Sequence, residues 1–350
     1  MNLQESTSLP RRLAPRAKSP YIAAAVFLVL YGLLIVVSPV AGSSFLINNF
    51  VVLMSPLAIA AVGTTLILVL GGFDLSVAGT ISLANVVAAT AMQRSPENIW
   101  LIALGVIAMG ALIGMVNGLL VSILNLPSLG VTLATNIVLA GIALVIMPAP
   151  GGRVPVEFTS VLTGMLGSVP FAAIVLLGLG AFWVALMKTR TGMSIAAIGG
   201  DATAAKLSGI PIRRVSTVAY VIAGMLYSVA GLYLCGLTAT GSPAAGSSFL
   251  LTAFTAAALG LVSFKGGRGS GVAAIFGAGT ILVIPKFLFA LGIADFWVGA
   301  CQGLIVLIAL TIPSIGRLTR HAARKGAGRN TQGSQLAAST EGLEKKKLHI

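Results

Sequence analysis

The chain has 350 residues, 57% of them hydrophobic and 9% charged, with a mean hydropathy of +1.02. A soluble domain carries about 25% charged residues, so the composition excludes a water-soluble globular fold and points to an all-α polytopic membrane protein. The net charge of +14 reads as basic residues gathered on one side of a membrane, and no nucleic-acid partner is expected.

Residues 1–19 are polar and hold Arg11, Arg12, Arg16 and Lys18. Tyr21 to Val37 is apolar and longer than most cleaved signal cores, which makes it an uncleaved first span. Phe50 to Leu70 is the second, with Pro56 inside it. Gly71, Gly72, Phe73, Asp74, Leu75 and Ser76 follow: the glycines break the helix, and Asp74 or Ser76 can cap a third span that runs to about Met92. In the fourth, Ile99 to Leu124, Gly110, Gly114 and Gly118 recur at four-residue spacing and should let a neighbouring backbone approach closely. A fifth span opens after Leu126-Pro127 and ends near Met147. Pro148 to Val169 is a loop, and Pro170 to Met187 the sixth span.

Lys188 to Arg214 is hydrophilic, with Lys188 and Arg190 on entry and Arg213 and Arg214 on exit. Within it Asp201 or Thr203 can cap a short helix from Ala202 to Leu207, which Gly209 and Pro211 end. Val215 to Leu237 is a seventh span, Leu250 to Phe264 a short eighth, and Val272 to Leu291 a ninth interrupted at Pro285-Lys286. Phe296 to Ile312 is the tenth. The expected organisation is a segment 1–19, a membrane domain 20–313 and a basic, disordered tail 314–350.

Ten spans put both termini on one side. With that side cytoplasmic, nineteen lysines and arginines lie inside and only Arg94 and Arg153 outside, Lys286 being within a span. Cys235 and Cys301 lie in apolar segments, and His321 and His349 in the tail; no catalytic or metal constellation emerges.

Several strings resemble one family. Gly199, Asp201, Ala204, Ala205, Ser208, Gly209 and Ile210 resemble the cytoplasmic coupling loop of ABC importer permeases of the ribose/xylose/arabinose type, with Asp201 at a usual asparagine and Thr203 where the broader motif has glutamate. Gly71-Gly72-Phe73-Asp74-Leu75-Ser76 resembles that family's Gly-Gly-Ile-Asp-Leu-Ser signature. Gly114 to Leu120, Pro127 to Thr135, Gly266 to Ser270 and Gly292 to Trp297 resemble further segments of it, and the likeness spans about Asn48 to Ile312.

The resemblance implies a permease subunit of a bacterial inner-membrane importer. An ABC ATPase would dock on Asp201, Ala202, Thr203, Ala204, Ala205, Lys206, Leu207, Ser208, Gly209 and Ile210. That subunit would bind ATP and magnesium, and no cofactor is expected on this chain. A soluble sugar-binding protein would deliver a monosaccharide or small polyol, and a second permease copy, in a homodimer or heterodimer within membrane lipid, would complete the pathway. Uncharged polar residues in the spans, Thr65, Asn85, Asn117, Thr132, Thr135 and Asn136, together with Lys286, are candidates to line it. An ion-coupled transporter or channel is the alternative, disfavoured because the acidic residues lie in termini, loops or span ends.

Overall fold

A computed structural model describes residues 19–167 and 169–294, with scattered positions as far as 307. The chain divides after Val298, and the description below concerns the first unit. The expected tenth span falls largely outside the described residues, as do the N-terminal segment before Ser19 and the tail.

In lipid every backbone polar group needs an internal partner, and helices supply it within one segment. The elements are α1 (Ser19–Val37), α2 (Ser44–Leu70), α3 (Val77–Arg94), α4 (Ile99–Ser122), α5 (Ser128–Ile146), α6 (Val156–Thr163), α7 (Phe171–Lys188), α8 (Arg190–Gly200), α9 (Ala202–Leu207), α10 (Ile212–Thr238), α11 (Phe249–Leu259) and α12 (Gly271–Ala290). A two-residue hairpin, β1 (Met165–Leu166) with β2 (Val169–Pro170), precedes α7.

Seven of these helices are long and apolar enough to cross a membrane: α1, α2, α4, α5, α7, α10 and α12. By length and hydropathy, two of the expected ten spans are not matched among the described segments. The third, α3, is long enough at ~27 Å, but Thr80, Ser82 and Asn85 lower its hydropathy, and it is buried among other helices instead of facing lipid. The eighth is shorter than the apolar run suggested. Helix α11 stops at Leu259, because Gly260 and a left-handed Leu261 (φ 59°) turn the chain; its 11 residues reach only ~16 Å. Conversely, α12 runs through Pro285 without the expected interruption. A membrane helix tolerates the missing N–H when neighbours shield the freed carbonyl.

At the centre is α2, buried almost without a break from Met54 to Leu70. Against it packs α10, which also covers α3 and α4. The α4–α10 contact rests on the glycine stripe. A Cβ on Gly110 would overlap Ser228, one on Gly114 would overlap the Tyr220 carbonyl, and one on Gly118 would lie 2.8 Å from Thr217 Cα. The outermost helix, α1, packs on α12, with Phe27, Tyr31 and Phe50 in ring contact beneath it.

Candidate coupling and translocation site

The hydrophilic stretch folds as two helices. The first, α8, buries Ile195 and Ile198 against α2, α7 and α10. Asp201 then caps α9, its Oδ1 accepting from the backbone N–H groups of Thr203 (2.9 Å) and Ala204 (3.0 Å). Gly209 takes the left-handed conformation (φ 77°) that ends the helix. Ala202 and Ala204 face out, while Ala205 is buried against the protein itself. The outward face carries Thr203, Ala204, Lys206 and Leu207, and Leu207 is 86% exposed.

Three glycine turns meet behind α8. Gly71 ends α2 (φ 90°), Gly199 and Gly200 end α8, and Gly266 and Gly267 (φ 84° and 72°) lie in the turn after α11. The Gly267 N–H donates to the Val69 carbonyl at 2.8 Å, tying that turn to α2. A Cβ on Gly199 would overlap the Val69 carbonyl oxygen and sit 2.6 Å from the Gly267 nitrogen. No other residue type fits there. This junction marks the basic end of the bundle, which also carries Lys188, Arg190, Lys206, Arg213, Arg214, Lys265 and Arg268.

From Gly71 the chain enters a non-helical stretch, residues 71–76, in which Asp74 and Ser76 are buried. Gly71 and Gly72 N–H still donate to α2 carbonyls, and beyond them α5 supplies acceptors. Ser128 Oγ accepts from Phe73 N–H (3.2 Å), Thr132 Oγ1 from Leu75 N–H (3.0 Å), and Asn136 Oδ1 from Gly79 N–H (2.6 Å). The carboxylate of Asp74, 1% exposed, accepts from the N–H and hydroxyl of Ser76, so Asp74 braces the helix start while Ser76 occupies the cap position. Asn117 donates to Ser76 Oγ (2.9 Å) and accepts from Thr135 Oγ1 (2.6 Å). Burial pushes the Asp74 carboxyl up to about 6, against the hydrogen bonds from Ser76 that lower it.

A second irregular stretch is longer. After α10 the chain forms a bridge between Gly241 and Gly151, then runs alongside α3 without helical structure. A Cβ on Gly241 would touch Ala89; Ser242 N–H donates to Asn85 Oδ1 (2.7 Å), Gly246 N–H donates to Ser82 Oγ (2.9 Å), and Gly246 abuts the Ala78 carbonyl. From Ala89 to Ala78 is ~16 Å of helix rise. Residues 239–248 therefore run ~16 Å along α3 without helical structure before α11 leads on to the glycine junction. The span is broken, with Ser247 and Ser248 exposed at the break and no side chain capping α11.

A family model described as "Branched-chain amino acid transport system / permease component" matches residues 46–310. The chain belongs to this permease family. The galactose/methyl galactoside import permease protein MglC of Haemophilus influenzae is 32% identical over 312 residues, covering 83% of this chain and 92% of that protein. The ribose import permease protein RbsC of Bacillus subtilis is 34% identical over 293 residues, 82% of this chain and 91% of that one. A probable ABC transporter permease, y4mJ of Sinorhizobium fredii, is 34% identical over 277 residues, 77% and 81% respectively. No solved structure matches the permease.

Within the permease, the structure brings Asp74, Ser76, Asn117, Thr132, Thr135 and Asn136 together through hydrogen bonds around residues 73–79, while Gly71 and Gly72 bond back to the end of α2. Asn85 sits apart, bridging the Gly231 carbonyl and the broken span. Thr65 is fully buried, and its hydroxyl has no partner among the described residues. Lys286 is separate from all of these, on α12 beside α1 and the start of α2. Sequence reasoning missed Ser242, Ser247 and Ser248. Their signal was a small, polar run between apolar segments, which reads as a loop until its contacts with α3 are known.

Proposed function

We propose that this permease is the membrane subunit of an ATP-driven importer in a bacterial inner membrane, with both termini cytoplasmic and the basic end facing the cytoplasm. The observation that carries this reading is α9, a capped, rigid helix whose apolar Leu207 is held out into water. Among the described residues nothing covers that side chain, and an ATPase groove would. ATP and magnesium would bind that partner, a soluble binding protein would deliver substrate at the opposite end, and a second permease copy would close the pathway.

The pathway runs along the broken span. Irregular backbone at membrane depth is stable only where protein buries it or where it borders an aqueous path, and broken helices recur at transporter binding sites. Hydroxyls and amides line this one: Ser242, Ser247, Ser248 and, behind them, Asn85. An amino acid would need countercharges for its ammonium and carboxylate, and these residues supply none. A neutral monosaccharide or small polyol needs only such donors and acceptors, in keeping with relatives named for galactose and ribose import.

Ser247→Leu and Ser248→Leu test the pathway. Ser248 makes no side-chain cap, so its replacement leaves the fold intact. In proteoliposomes with ATPase and binding protein, both variants should lose at least about tenfold of ribose or galactose uptake, the effect of ~1.4 kcal/mol on a barrier. Stimulation of ATP hydrolysis should persist. Wild-type uptake by both would remove the broken span from the pathway.

A further inference from the structure

Lys286 lies in a cavity of about 420 Å³ between α1, the short 3-10 turn Pro39–Gly42, the start of α2 and α12. It stands ~22 Å of helix rise above Gly271, near the end of the bundle opposite the basic one. The ammonium forms no ion pair among the described residues, and the Asn49 amide and Ser38 hydroxyl also lining the cavity have no hydrogen-bond partner there. The remaining walls are apolar and aromatic, Tyr31, Leu34, Leu46, Phe50 and Phe289 among them. Tyr31 Oη donates to the Ala41 carbonyl, which fixes the turn over the cavity.

The position of the cavity selects its ligand. One wall is α1, the most peripheral spanning helix, with only 11% of its span buried. The cavity thus lies on the α1 side of α12, and none of its lining residues belongs to the broken span. A lone cation with two neutral polar groups above an apolar slot suits a molecule with an anionic head and a hydrocarbon tail. A lysine stem can lie along apolar surface and hold its ammonium at headgroup level, where phosphate makes short, charge-assisted contacts.

We propose that this cavity binds a phospholipid of net negative charge, its phosphate on Lys286 and Asn49 and an acyl chain along Tyr31, Leu34 and Phe289. Lys286 is then a lipid anchor and not part of the solute pathway. Zwitterionic lipids carry the same phosphate, but their own ammonium competes with Lys286.

Native mass spectrometry of the purified permease with phosphatidylglycerol, phosphatidylcholine or inorganic phosphate tests this. The wild type should retain phosphatidylglycerol in preference to phosphatidylcholine and gain thermal stability from it, with no gain from inorganic phosphate. Lys286→Met should bind phosphatidylglycerol about tenfold more weakly, the loss of one charge-assisted hydrogen bond. Lys286→Arg should keep the preference, which separates loss of charge from misfolding, and Lys265→Met at the basic end should behave as wild type. Unchanged binding in Lys286→Met, or equal stabilisation by inorganic phosphate, would overturn the proposal. Loss of uptake in Lys286→Met with lipid binding intact would overturn it too and return the lysine to the pathway.

Discussion

Gly199→Ala puts one methyl group into the glycine junction. The new Cβ would overlap the Val69 carbonyl oxygen and stand 2.6 Å from the Gly267 nitrogen, between the partners of a 2.8 Å hydrogen bond. Both are backbone atoms, so no rotamer change relieves the clash. Overpacking of this kind costs about 1–3 kcal/mol, and the broken hydrogen bond adds about 0.5–1.5 kcal/mol. The expected loss is roughly 2–4 kcal/mol, centred where α8 touches α2 and the turn after α11. Gly200→Ala is the control. Its Cβ meets nothing within 4 Å, and alanine favours helix over glycine by up to about 1 kcal/mol. Thermal unfolding in detergent reads stability, and reconstituted transporter reads ATP hydrolysis and uptake together. Gly199→Ala should melt earlier, and at a temperature where it stays folded it should hydrolyse ATP with little uptake, because α8 no longer moves with α2. Gly200→Ala should match or exceed the wild type. Indistinguishable behaviour of the two variants in both assays would refute the junction as the link between α9 and the bundle.

Asp74 sets a pH dependence. Its folded pKa of about 6 lies above the ordinary aspartate value of 3.8, so its contribution to stability is present at low pH and lost as pH rises through 6. The permease should gain about 1.4 kcal/mol of stability from this group between pH 7.5 and pH 5. Asp74→Asn, which keeps the acceptor for Ser76, should abolish that gain; an unchanged pH difference in the variant would assign it elsewhere. For orientation, single cysteines at the exposed positions Ser208 and Ser160 should react with impermeant thiol reagents from the cytoplasmic and the outer side respectively. Reaction of position 208 from outside contradicts the orientation.

What the sequence made legible was local. Asp201, the alanines after it and Gly209 specify a capped short helix by themselves, and α9 has the expected bounds. The spacing of Gly110, Gly114 and Gly118 indicated a close helix contact, although only the structure names α10 as the partner. Features set by distant partners were not legible. Helix α8 contains Gly192, Gly199 and Gly200, poor helix formers, and depends on burying Ile195 and Ile198. The direction of Ala205 depends on what lies behind α9. In the eighth segment Leu261 and Val262 prolong the apolar signal past the true end of α11. The break before it is held by Asn85, 157 positions away from Ser242 in sequence. Asn117, Thr132, Thr135 and Asn136 look like pathway residues because they are polar in apolar helices. In the fold their polar groups are taken up by residues 71–79 and by one another.

The central claim is that α9 receives an ATPase and that solute moves only when the two are joined. Its most direct test is uptake by proteoliposomes containing the permease alone, the permease with its ATPase, and Leu207→Asp with the ATPase, each with loaded binding protein and ATP on the α9 side. A desolvated carboxylate in an apolar groove costs several kcal/mol, and Leu207 is 86% exposed in this chain, so the substitution should spare the fold and break the docking. The account predicts uptake only for the wild type with ATPase, and loss of the complex on co-purification with Leu207→Asp. Uptake by the permease alone under an ion gradient, or full ATP-driven uptake by Leu207→Asp, would contradict it.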